Sequence, residues 1–117
     1  MAFSEEGLKK WEPIIASFIE EQRPRKEIRS QVDLDYSIDI ENQSIEIFEI
    51  RSHFNKKDKK IKIPIAKTTY VRRQKAWKIY WQQSDMKWHK YDPLPKVKTL
   101  EQFIAEVKED PKACFWG

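Results

Sequence analysis

Leu8, Trp11, Ile15, Phe18 and Ile19 recur at helical spacing and define one apolar stripe near the start of the chain. Ser4 stands in the N-cap position, with Glu5 and Glu6 in the electropositive first turn. The spacing predicts a helix over 4–23, kinked or restarted at Pro13 and ended by Pro24. Residues 24–31 read as a second short helix with proline at its first position.

The period then changes from 3.6 to 2. Val32, Leu34, Tyr36, Ile38 and Ile40 alternate with Asp33, Asp35, Ser37, Asp39 and Glu41, which predicts a strand over 32–41 with an acidic outer face. Asn42-Gln43 turns the chain into a strand over 44–53. Its apolar phase shifts from Ile45 and Ile47 to Phe48 and Ile50, the mark of a bulge or of burial on both faces. The charged stretch from His53 to Lys60 reads as a loop. A third strand spans 61–71, and Pro64 within it favours a sheet edge.

A strand over 76–83 places Trp77, Ile79 and Trp81 on one face and Lys78 and Tyr80 on the other. A strand over 86–91 alternates Met86, Trp88 and Lys90 with Lys87, His89 and Tyr91. With Trp77, Trp81 and Trp88 assigned to the core, the exposed face carries Lys78, Tyr80, Lys87, His89 and Tyr91. Pro93 and Pro95 stop the sheet. Thr99 and Gln102 form a capping box for a helix over 99–109, with Leu100, Phe103, Ile104 and Val107 as its stripe. The tail, 110–117, ends in Cys114-Phe115-Trp116-Gly117 and is expected to dock on the body. The predicted architecture is α+β. An antiparallel meander of four to six strands carries an N-terminal and a C-terminal helix on one face, in one domain over 1–117.

Several segments together resemble a known family: Ser44-Ile45-Glu46-Ile47-Phe48-Glu49-Ile50-Arg51, Trp77-Lys78-Ile79-Tyr80-Trp81, Asp85-Met86-Lys87-Trp88-His89-Lys90-Tyr91 and the terminal Cys114-Phe115-Trp116-Gly117. They are similar to a family of small bacterial proteins described as a domain of unknown function. Ser52 and Trp116 depart from it, standing where Pro and Phe are expected. The resemblance implies a bacterial chain matched over nearly its whole length. It implies no activity, cofactor, partner or site residue.

Composition narrows the chemistry. The chain has 117 residues and only two glycines, so glycine-rich phosphate loops and dinucleotide fingerprints are excluded, and no bound cofactor is expected. One cysteine, with His53 and His89, is too few ligands for a structural zinc site. No apolar run reaches membrane-spanning length, and residues 1–6 lack the basic start and apolar core of a signal peptide, which together predict a cytoplasmic protein that does not enter membranes.

Charge changes the picture most. Residues 1–50 carry 6 Lys/Arg against 12 Asp/Glu, a net of −6, whereas residues 51–98 carry 15 against 3, a net of +12. Basic surface interleaved with aromatic rings suits nucleic acid, because cations track phosphates and rings stack on bases. The expected anion-binding residues are Lys56, Lys57, Lys59 and Lys60 in one loop, Arg72, Arg73 and Lys75 in a turn, and Lys78, Tyr80, Lys87, His89 and Tyr91 on the exposed face. The competing reading is that these cations only solvate a sheet whose other face is apolar.

Three alternatives accompany it. Asp35 with Glu49-Ile50-Arg51 faintly resembles the Asp, Glu-x-Lys pattern of metal-dependent nucleases, although Arg51 stays protonated and cannot serve as a base. A Cys114–His89 pair would make a thiolate nucleophile if the two meet. The charge asymmetry also suits an acidic protein surface or a homodimer.

Overall fold

The computed structural model describes residues 5–52 and 59–116. Ser4, His53, Lys56 and Lys57 lie outside them. The elements run α1 (Glu5–Gln22), a 3-10 turn at Lys26–Ile28, β1 (Val32–Asp39), β2 (Ser44–Ser52), β3 (Lys60–Val71), β4 (Ala76–Gln82), β5 (Trp88–Lys90), β6 (Lys96–Val97) and α2 (Leu100–Glu109). The fold is α+β, with the strands in the order β1-β2-β3-β4-β5, every pair antiparallel.

Three local expectations are corrected. Helix α1 runs over Glu5–Gln22 with Pro13 inside it on its exposed side, so the helix does not restart there. Residues 24–31 hold one 3-10 turn rather than a helix. Pro64 is not at an edge, since β3 is the central strand. It adjoins a bulge where Ile47 pairs with Ala66 and Phe48 with Pro64, leaving Ile65 extra. A bulge interrupts the ladder, which is where a residue without an N–H is tolerated.

β5 and β6 both pair with β4, along the same edge. They form one broken edge strand. Between them, residues 91–95 arch away while the Ile79 backbone remains bonded at both ends: its N–H donates to the Pro95 carbonyl and its carbonyl accepts from the Tyr91 N–H, each at 3.0 Å. Chain pairing therefore resumes after Pro95, where the sequence was expected to leave the sheet.

Residues paired across strands share a face. One face presents Leu34, Ile45, Ile47, Ile79 and Trp77, and α1 and α2 cover it with Ile15, Phe18, Ile19, Leu100, Phe103 and Val107. Trp11 meets Trp77 edge-on at 5.1 Å. Thr99 accepts from the Gln102 N–H, and Gln102 reaches back to the Thr99 N–H, completing the capping box. The tail folds back on α2. The Asp110 carboxylate accepts from the backbone N–H groups of Cys114, Phe115 and Trp116, and the Trp116 indole donates to the Val107 carbonyl. Among the described residues no helix covers the opposite sheet face, and none is long and apolar enough to cross a membrane.

Candidate anion-binding face

The open face is organised in rows that cross the strands. One row runs Glu46, Lys67, Tyr80, Lys90, and the next runs Ser44, Thr69, Lys78, Lys96. Beside them Gln82 is paired with Trp88. Three lysines from three strands thus meet around the gap between β5 and β6. There, Lys78, Lys90, Lys96, Tyr80 and Gln74 line a concavity of about 280 Å³, with Ile79 and Pro95 completing it.

None of Lys78, Lys90 and Lys96 is ion-paired with a described carboxylate, and no acid lines the concavity. Lys78 and Lys96 are direct cross-strand partners. Like charges so placed weaken a sheet. The same face is acidic at its other side, where Asp35 and Asp39 project from β1. Lys62 offsets Glu46 at 3.6 Å.

Three aromatic residues lie on this face: Phe48, which pairs with Asp35 and is buried with Lys62 Nζ 4.2 Å from its ring, and Tyr80 and Trp88, both half-buried. Lys67 holds its ammonium 5.9 Å from the Trp88 ring. The Tyr80 hydroxyl makes no hydrogen bond to a described residue.

The residues expected at the site separate into groups. Lys78 and Tyr80 are in it. Arg72, Arg73 and Lys75 are exposed in the β3–β4 turn, next to Gln74 of the concavity. Lys59 and Lys60 lie at the opposite end of β3, roughly 35 Å away along a strand of this length. Lys60 is occupied there, donating to the Ser30 carbonyl and to Ser52 Oγ. Lys87 is exposed in the β4–β5 turn.

His89 and Tyr91 are not on the open face. The register of Tyr80 with Lys90 turns them to the helix side and brings Trp88 and Lys90 out. Tyr91 is fully buried, its ring 4.8 Å from Phe115 and its hydroxyl donating to Glu106 Oε2 at 2.7 Å. Burial, reinforced by the Glu106 carboxylate, pushes its phenol pKa up. His89 Nε2 lies 2.8 Å from Asp85 Oδ2. The Lys87 N–H, and then His89, hold Asp85 below the usual carboxylate range.

Strand register also separates the nuclease-like residues. Asp35 pairs with Phe48 and Glu49 with Leu34, so the two carboxylates sit on opposite sheet faces, and Glu49 is ion-paired with Arg51 at 3.1 Å. Among the described residues no group of three His, Cys, Asp or Glu gathers closely enough to hold a metal ion. Cys114 Sγ faces the Lys112 carbonyl at 3.7 Å. Burial, with the Asp110 charge behind it, raises the Cys114 thiol pKa, the reverse of what a thiolate nucleophile needs.

Lys67, Gln74, Trp88, Lys90 and Lys96 are the members that sequence reasoning missed. Their signal was the cross-strand register, together with the return of the chain to β4 after Pro95. A family model described as a domain of unknown function (DUF3024) matches residues 3–117. No curated protein and no solved structure matches the chain.

Proposed function

The chain belongs to the DUF3024 family, and from the geometry of its open sheet face we propose that it is a non-enzymatic binding module for an anionic partner, nucleic acid first. One observation carries the reading: Lys78, Lys90 and Lys96 converge on a single concavity without a carboxylate among its lining residues. A cross-strand lysine pair costs sheet stability, and a phosphate placed between the two ammonium groups offsets that cost. Tyr80 and Gln74 supply neutral donors beside it. Lys67 and Lys90 extend the positive surface across three strands.

Fluorescence anisotropy of a labelled oligonucleotide at low salt tests the proposal. Binding should weaken as salt rises, with a log–log slope near −2 if three lysines displace counterions from a single strand, at about 0.7 per contact. The triple variant Lys78→Ala, Lys90→Ala, Lys96→Ala should lose binding. Lys9→Ala with Lys10→Ala, on the exposed side of α1, should keep it. Absence of low-salt binding, or equal loss in both variants, would overturn the reading.

A second reading draws on the acidic half of the same face. A twofold axis along β3 would set Asp35 and Asp39 of one copy against Lys78 and Lys90 of another, an isologous dimer held by complementary charge. Sedimentation at low and high salt would reveal it as a dimer that dissociates when salt is added.

A further inference from the structure

Building on the anion-binding reading, we infer that the open face selects single-stranded polynucleotide over duplex, with Tyr80, which lines the three-lysine concavity, and Trp88, one cross-strand row beyond it, as base-stacking positions. Tyr80 pairs with Lys90, and Trp88 lies two residues before Lys90 on β5. The two residues are therefore diagonal neighbours, roughly 7–8 Å apart. Stacked bases in a duplex are only about 3.4 Å apart along each strand. Bases that meet both rings have to be separated from each other and from a complementary strand. In a duplex the base faces are covered by neighbouring pairs, leaving only the phosphates to meet the lysines.

The surroundings of the rings favour the same ligand. Both are half-buried on a sheet face that no described helix covers. Lys67 sits over Trp88 and Lys90 beside Tyr80, so each ring has a cation within reach of the phosphate joined to a stacked base. The concavity between β5 and β6 then holds the next phosphate along the strand. Stacking tolerates any base, so the expected preference is for strandedness and not for sequence.

The decisive comparison uses oligothymidylate, oligouridylate and a blunt DNA duplex of equal length at one low salt concentration. Both single strands should bind at least about tenfold more tightly than the duplex and quench tryptophan fluorescence. A preference for one of them would identify DNA or RNA as the ligand. Trp88→Leu and Tyr80→Leu should each lower single-strand affinity about fivefold to a hundredfold, while leaving duplex binding unchanged. Tyr80→Phe, which keeps the ring, should retain single-strand binding, and circular dichroism would confirm that each variant is folded. Equal affinity for duplex and single strand, or indifference to loss of either ring, overturns the inference and leaves the anion-binding reading standing. Failure of every polynucleotide to bind removes both.

Discussion

Tyr91 ties the broken sheet edge to α2: its hydroxyl donates to Glu106 Oε2 at 2.7 Å while its ring lies against Phe115. The bond joins the arch between β5 and β6 to the helix layer on the face opposite the lysine concavity. Tyr91→Phe removes this bond and leaves the ring in place. The expected loss is about 1.5–3 kcal/mol, since the acceptor is a carboxylate, measured by urea unfolding.

The same contact has a pH signature. Burial first, and Glu106 second, raise the Tyr91 phenol above its ordinary value of 10.0. The stabilisation is therefore complete below pH 10. It is lost as pH rises past that value, because the unfolded chain releases this proton before the folded one does. The Tyr91→Phe variant should show a shallower loss of stability above pH 10 than the parent. The slope should not vanish, because burial and Glu12 also raise the Tyr36 phenol.

At the acidic end the relevant pair is Arg23 and Asp33. The guanidinium donates from Nε and Nη2 to the two carboxylate oxygens, at 3.0 and 2.8 Å. These bonds, joined by the Leu34 N–H, hold Asp33 below its usual value of 3.8. The contribution is present above that value and lost as pH falls through the lowered folded-state pKa. Asp33→Asn should be less stable than the parent at neutral pH. The difference should shrink once the parent carboxylate is protonated, as thermal unfolding across pH 7 to 2 would record.

Much of the fold was legible because periodicity is a local property. Leu34, Ile45, Ile47 and Ile79 lie on the helix-facing side, and the Thr99–Gln102 box stands where its spacing placed it. Alternation alone does not say which of two faces is inside. At 86–91 the size of Trp88 favoured one face, yet pairing with Tyr80 turned the other face, with Tyr91, to the core. Pro64 misled for a related reason: a bulge, invisible to periodicity, let it sit in the central strand. The candidate site was half legible. Lys78 and Tyr80 lie on one strand, whereas Lys67, Lys90 and Lys96 join them only through long-range register.

Thr99 offers a local test of that legibility. Its side chain accepts from the Gln102 N–H at 3.2 Å, and the Gln102 side chain accepts from the N–H groups of Lys98 and Thr99. Thr99→Ala should cost about 1 kcal/mol. Thr99→Ser should cost little, because it keeps the accepting oxygen.

Lys78 and Lys96 face each other across β4 and β6 with no described carboxylate to offset them. A pair kept only for solubility and a pair kept for a ligand predict different responses to an anion. Lys96→Gln removes the repulsion and should stabilise the free protein by up to about 1 kcal/mol. Inorganic pyrophosphate should raise the unfolding temperature of the parent, as any ligand of the folded state does. In Lys96→Gln that rise should be smaller, because one of three converging cations is gone. Differential scanning fluorimetry over a pyrophosphate titration, at constant ionic strength, separates this effect from general screening. If both proteins gain stability equally, the anion acts through screening or exclusion, and the lysine pair is a solvated feature of the sheet.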